Sequence, residues 1–277
     1  MTQGSNPIQS YYSPDQLVEK ITAALIECGR GLDNLTLDDL QPVDEFHIRG
    51  LTATLELIKL SGFSADMHIL DVGCGVGGSS RRLAQVRGCR VTGIDLSERY
   101  IAAARALSDM VGMQDQVRFD VGSALDLPCN DEDFDGIWSI QMNMNIHDKA
   151  TWLKELYRVL RPGGRLVLYE VCAGPDSPVY FPVPWAQDAS MSCLIPPSAF
   201  RDELVSAGFA IDHWQDKTDL AYAAFAQVAE PIGTPELPEL GVHLLVGEDI
   251  LTKAYNLRRN LEAQRVSLIE AVAVKTR

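Results

Sequence analysis

The stretch Ile69-Leu70-Asp71-Val72-Gly73-Cys74-Gly75-Val76-Gly77-Gly78 decides the fold. Its first four residues, apolar or acidic, read as a buried strand. They run into a D-x-G-x-G-x-G-G turn, after which Ser79-Ser80-Arg81-Arg82-Leu83 begins a helix. Glycine alone takes a positive φ freely and lets backbone N–H groups approach a ligand with no Cβ in the way. A strand, turn and helix of this composition therefore read as a nucleotide cradle. The next strand, Arg90 to Asp95 with Leu96-Ser97 after it, ends in an acid where an α/β unit presents a carboxylate to ribose hydroxyls. A dinucleotide would bring a pyrophosphate to the helix N-terminus, close to the negative charge of Asp71. An acid there suits a cationic or amino-acid-bearing ligand better.

Outward from that stretch the chain alternates. Strands read near 67–72, 90–95, 116–121, 134–140 and 165–172, and helices near 78–87, 97–110 and 148–160. The last of these helices carries Trp152, Leu153, Leu156, Tyr157 and Leu160 on one face. A helix over Pro197 to Ala207, a strand over Ala210 to Gln215 and a final strand over Val266 to Val274 follow. The alternation predicts an α/β fold built on a doubly wound parallel sheet.

With these residues in view, the chain resembles a class I S-adenosylmethionine-dependent methyltransferase of the small-molecule branch. Three more stretches carry the resemblance: Asp120-Val121-Gly122-Ser123-Ala124-Leu125-Asp126-Leu127-Pro128, Phe134-Asp135-Gly136-Ile137-Trp138-Ser139 and Arg161-Pro162-Gly163-Gly164-Arg165-Leu166-Val167-Leu168. With the glycine turn they span roughly residues 66 to 173 in the family's order. The resemblance implies a Rossmann-like, seven-stranded sheet with its last strand antiparallel, and S-adenosyl-L-methionine as cofactor, leaving as S-adenosyl-L-homocysteine. It implies Asp71, Gly73, Cys74 and Gly75 at the amino-acid half, Asp95 and Leu96 at the ribose, and Gly122, Ser123 and Ala124 near adenine. Ser139 and Gln141 belong with the loop that faces the sulfonium. Ser123 departs from the family, many members of which carry there an aspartate that receives the adenine amino group.

At 277 residues and 46% hydrophobic, the chain can bury one full core with a modest accessory layer. A net charge of −14 repels phosphate backbones and anionic membrane surfaces, so a small-molecule acceptor is expected and a nucleic-acid partner is not. No apolar run approaches the ~20 residues that cross a bilayer. The six cysteines form no C-x-x-C pair and no basic-then-apolar leader opens the chain, which together read as reduced thiols in a cytoplasmic protein. Without H-x-x-x-H or C-x-x-C spacing, no metal is expected. A homodimer is left open.

Residues 1–62 read as a helical cap and 63–277 as the core, with acceptor-site insertions at about 173–196 and 216–260. Met1 to Ser10 is polar and reads as mobile unless docked. Ser13-Pro14-Asp15-Gln16 reads as a capping box opening a helix whose apolar face is Leu17, Ile21, Leu25 and Cys28. Leu35 to Leu40 reads as a short helix closed by Pro42. Asp44 then opens a longer helix with Ile48, Leu51, Leu55 and Ile58 buried. Asp216 to Asn260 reads as two helices split by the proline-rich Pro231 to Gly241.

Methyl transfer from a sulfonium is an in-line displacement, so alignment at ~3 to 3.5 Å supplies much of the acceleration. A neutral amine attacks unaided, whereas a hydroxyl or carbon acid wants a base. His47 and His147 are the candidate bases. Tyr12, Arg49, Gln141, Asn143, Asn145, Phe181 and Trp185 are candidate acceptor contacts, the rings for an ammonium group and Arg49 for a carboxylate. The core most resembles enzymes that methylate sarcosine or dimethylglycine, and ubiquinone-type methyltransferases share Arg161 to Gly164. N-methylation of a small amine is the expectation. The alternatives are O- or C-methylation of an aromatic, polyketide or isoprenoid compound, in a pocket with Met142, Met144 and Met191, and a non-methylating activity on the same fold.

Overall fold

The computed structural model describes residues 7–176, 178–233 and 236–276; Met1 to Asn6, where the expected cap begins, lie outside them. Strands β1 (His68–Val72), β2 (Arg90–Asp95), β3 (Val117–Val121), β4 (Phe134–Ile140), β5 (Leu160–Ala173), β6 (Phe209–Asp216) and β7 (Val266–Lys275) form one sheet in the order β3-β2-β1-β4-β5-β7-β6. β7 runs antiparallel to β5 and β6, and the remaining pairs are parallel. This is the class I methyltransferase arrangement expected from the resemblance. From β1 the chain moves outward to β3 and then returns to β4 on the other side of β1. That reversal leaves a crevice over the carboxyl ends of β1, β2 and β4.

The helices are α1 (Pro7–Tyr11), α2 (Leu17–Glu27), α3 (Leu37–Asp44), α4 (Gly50–Ser61), α5 (Gly78–Arg87), α6 (Glu98–Met110), α7 (Lys149–Val159), α8 (Pro197–Ser206), α9 (Thr218–Phe225), α10 (His243–Val246) and α11 (Ile250–Glu262). Strand side chains alternate between two helical layers, as a period of two requires. Ile69, Val167, Tyr169 and Val171 pack with Leu83, Ala84, Ile101 and Ala104 of α5 and α6. Their neighbours Leu70, Val72, Leu166 and Leu168 pack with Trp152, Leu153 and Leu156 of α7 and Phe200 of α8. Each of the buried leucines, isoleucines, valines and Phe200 among them contributes ~1.5 to 3 kcal/mol of transfer free energy.

The N-terminal elements differ from the sequence expectation. Pro7 to Tyr11 forms a helical turn, from which Gln9 Nε2 donates to Leu96 O at 3.4 Å. No helix starts at Ser13: Gln16 takes a left-handed φ of 52° and α2 begins at Leu17. Ser13 Oγ lies instead 3.3 Å from Ser97 Oγ. Pro42 sits inside α3, which it was expected to close. Asp44 ends α3 rather than opening a helix, because Arg81 holds it: the guanidinium donates to its carboxylate at 2.6 Å and is fully buried. α4 starts at Gly50, and its buried face is Ala53, Thr54, Leu57, Ile58 and Ser61, with Leu55 43% exposed. Among the described residues of 216–262 there are three helices, not two, since His243–Val246 makes a separate turn.

Candidate active site

Gly73, Gly75 and Gly77 take φ values of 76°, 55° and 83°, turning the chain sharply from β1 into α5. A Cβ on Gly73 would sit 2.5 Å from Met142 Sδ, so only glycine lets the turn and the loop after β4 approach this closely. The turn's N–H groups are not spare, as the sequence had suggested. Those of Gly73 and Cys74 donate to Ile94 O at 2.8 and 3.2 Å, and that of Gly75 donates to Asp95 Oδ2 at 3.0 Å. The glycines supply conformation and open space and tie β1 to the end of β2.

Asp95 Oδ1 accepts from the Ser97 N–H at 2.8 Å. Backbone donors thus fix both carboxylate oxygens, each of which keeps a lone pair to offer a hydroxyl donor. Burial raises the Asp95 pKa, against the pull of the Ser97 and Gly75 N–H groups. Asp71 is buried too, and its Oδ2 accepts from Ser80 Oγ at 2.6 Å and Ser79 Oγ at 3.0 Å. Burial pushes its carboxyl up to about 6, opposed by the two hydroxyls.

A cavity of about 450 Å³ runs over these strand ends. Asp71, Gly73, Cys74, Gly75, Asp95, Leu96, Gly122, Ser123, Ala124 and Gln141 all line it. Ser139, expected with them, is not among the lining residues: it is fully buried and donates to Glu170 Oε1 at 3.2 Å. Among the described residues no lysine or arginine lines the cavity. A pyrophosphate would face Asp71 and Asp95 without a counter-charge, whereas a sulfonium and an ammonium would be attracted to them. The chemistry of this lining thus fits S-adenosylmethionine, whose sulfonium and ammonium would meet carboxylates. When bound, that molecule supplies an activated methyl group on a sulfonium.

The expected acceptor residues divide. Tyr12 lines the cavity and its hydroxyl donates to Asn145 Oδ1 at 3.1 Å; Asn145 Nδ2 donates in turn to the carbonyls of Trp185 and Met191, both at 3.0 Å. Trp185 also lines it, its ring fixed by Nε1 donating to Ser192 Oγ at 3.0 Å. Gln141 takes a left-handed φ of 51°, and its buried Nε2 has no partner among the described residues, which leaves both of its N–H donors for a ligand. His47 and His147 both line the cavity. His147 is exposed, beside the Asp148 that caps α7. The His47 ring is nearly buried, with Nε2 between Gly50 O at 3.1 Å and Thr54 Oγ1 at 3.0 Å.

Three acceptor residues are not among those lining the cavity. Arg49 turns both guanidinium nitrogens to Glu56, at 2.6 and 2.9 Å. Asn143 is buried and donates from Nδ2 to Val171 O at 3.1 Å. Phe181 packs against the hydrophobic core.

Two buried ionisable side chains that sequence reasoning missed hold the loop after β4. Glu170 Oε2 accepts from the N–H groups of Met142 and Asn143, both at 2.8 Å. Burial pushes its carboxyl up to about 8, against those two donors and Ser139. Lys149 Nζ donates to the carbonyls of Asn143, Ile146 and Cys193 at 3.1, 2.6 and 2.7 Å. The signal for Glu170 was present: an acid inside the apolar run Leu166-Val167-Leu168-Tyr169-Glu170-Val171-Cys172 must be bonded by something.

Residues 70–168 match the family described as a methyltransferase domain, and the sheet to which they belong has the class I arrangement. Among curated relatives it is 34% identical over 162 residues to O-methyltransferase resE of Aspergillus sclerotiorum, covering 58% of this chain and 59% of that protein. The chain spans about half the length of the curated relatives it matches. Among solved structures it superposes on geranyl diphosphate C-methyltransferase from Streptomyces coelicolor A3(2), with a TM-score of 0.67, 17% identity and 98% and 99% of the two chains covered. The [4+2]-cyclase SpnF superposes with a TM-score of 0.66 and 22% identity, over 95% and 97% of the two chains.

Proposed function

We propose that this protein transfers the methyl group of S-adenosylmethionine to a hydroxyl of a neutral small molecule with an apolar body. The observation that carries the reading is the lining of the cavity. Phe46, Ile140, Met144, Trp185, Met191 and Leu245 contribute apolar walls, and no lysine or arginine among the described residues joins them. An acceptor carrying a diphosphate, as geranyl diphosphate does, would meet no lysine or arginine among the described lining residues and would face Asp71 and Asp95 instead. A carboxylate-bearing amine would have wanted Arg49, which Glu56 occupies. N-methylation of a small amine therefore yields to O-methylation, and the activity named for resE points the same way.

In this reading Asp71 and Asp95 hold the cofactor, Gln141, Asn145 and Tyr12 orient the acceptor, and the described N-terminal residues, 7–62, form a cap over it. The six free thiols and the net charge of −14 suit a cytoplasmic enzyme that avoids nucleic acid, as a monomer or homodimer. No helix among the described residues is long and apolar enough to cross a membrane. The test is a labelled-methyl screen over neutral phenols and alcohols, amino acids, amines and prenyl diphosphates. Turnover confined to amines or diphosphates would overturn the proposed acceptor. Conversion of an apolar substrate without S-adenosylhomocysteine release would favour the second reading, a non-methylating catalyst on this fold like the cyclase it superposes on.

A further inference from the structure

We infer that His47 Nδ1 is the atom that takes the proton from the methylated hydroxyl, set in place by a relay through Thr54 to Glu45. The inference rests on the O-methylation reading above. Gly50 O can only accept, so the Nε2 that lies 3.1 Å from it carries the ring hydrogen. Thr54 is fully buried and gives its own hydroxyl hydrogen to Glu45 Oε2 at 2.7 Å. Its oxygen is therefore a second acceptor for Nε2–H, at 3.0 Å. The network fixes the tautomer. Nδ1 keeps a lone pair with no hydrogen-bond partner among the described residues, on a ring that lines the cavity beside the apolar Phe46. Tyr169 meets the imidazole edge-on, the ring centroids 6.4 Å apart and the planes at 86°, which restricts its tilt. Burial keeps the ring in its neutral, proton-accepting form, its pKa pushed down to about 4.

The charge balance of the reaction agrees with this placement. The acceptor oxygen bonds to the methyl carbon, the C–S electron pair leaves on sulfur, and the O–H proton passes to Nδ1. One positive charge thus moves from sulfur to the imidazole, and the net charge of the site is unchanged. Glu45 Oε2, 3.6 Å from Nε2, then faces the imidazolium, which discharges its proton to solvent as product leaves. His147, the other candidate, is exposed to water, where solvent competes for the same proton.

The experiment has two arms. Nitrogen-15 NMR of the histidine-labelled free protein at neutral pH should show His47 protonated on Nε2 and bare on Nδ1. Methyl transfer is then measured to 4-ethylphenol, which must lose its proton in the reaction, and to 4-nitrophenol, which ionises without help. His47→Gln should lower kcat for 4-ethylphenol by about 10²- to 10⁴-fold more than it lowers kcat for 4-nitrophenol. Thr54→Val keeps the shape of the site and should give the same selective loss to a smaller degree, with S-adenosylhomocysteine affinity unchanged. Equal loss on both phenols, or a ring protonated on Nδ1, overturns the relay. Transfer to neither phenol tells instead against the hydroxyl reading on which the relay rests.

Discussion

Replacing Glu170 by glutamine should make the protein more stable, and increasingly so as pH rises from about 5 to 8. The wild-type carboxyl is fully buried, with its pKa pushed up from 4.5 to about 8, burial being the larger cause. A raised carboxyl favours the fold while it holds its proton: the contribution is complete below 4.5 and is lost as pH climbs towards 8. At 1.36 kcal/mol per pH unit, that interval amounts to roughly 5 kcal/mol. Glutamine keeps the contacts without the charge. Its oxygen can take the place of Oε2 and accept from Met142 and Asn143, while its amide faces Ser139 Oγ. Glu170→Ala instead leaves two buried N–H groups unpaired, at about 1 to 3 kcal/mol each, and frees the loop that carries Gln141 and Asn145. Urea unfolding of wild type and both variants at several pH values measures this. The glutamine variant should gain on wild type by about a kcal/mol per pH unit over that range and retain cofactor binding, whereas the alanine variant should lose both stability and binding. A difference between glutamine variant and wild type that does not change with pH would refute the reasoning.

Gly73→Ala places a Cβ 2.5 Å from Met142 Sδ at a φ of 76°, so strain of about 1 to 2 kcal/mol adds to the overlap; thermal denaturation with and without S-adenosylhomocysteine should show a lower Tm and a smaller ligand-induced rise. S-adenosylmethionine affinity should increase with pH up to about 6 and level off above it, because a cationic ligand needs Asp71 ionised and burial holds its free carboxyl near that value; calorimetric Kd values that stay flat from pH 5 to 7 would contradict this. Arg81→Met should destabilise by about 3 to 5 kcal/mol in denaturant unfolding, since it strands the Asp44 carboxylate in the interior, and adding Asp44→Asn should recover part of the loss.

Features set by neighbouring residues were legible in the sequence. The glycine turn, the acid at the end of β2 and the apolar face of α7 depend on local spacing, and the structure has them at the expected positions. The antiparallel β7 was legible only through the family resemblance, because nothing in Val266 to Val274 states which way the strand inserts. Side chains whose partners are remote in sequence were illegible. Ser139 turns to Glu170 across the β4–β5 pairing and Asn143, in the turn after β4, reaches Val171 O of β5, neither of which spacing alone reveals. Arg49 failed for a nearer reason: it precedes the helix on which Glu56 lies, and the left-handed φ of 69° at Arg49 sends its side chain back along α4. The polar start expected of that helix is instead a loop, which brings His47 to the cavity wall.

The position of β7 between β5 and β6 bears on how the chain is made. Its pairing with β5 runs from Arg165 to Ala173, along the strand that also supports the loop after β4. Until the ribosome has released residues 266–275, β5 presents a bare edge, flanked by Val167, Leu168, Tyr169 and Val171, and β6 has nothing to pair with. Such an edge recruits other strands. The nascent protein is therefore prone to aggregate in the interval between the synthesis of β6 and that of β7, and a ribosome stalled just short of β7 should hold a chain that needs chaperone protection even though β1 to β4 have already been synthesised.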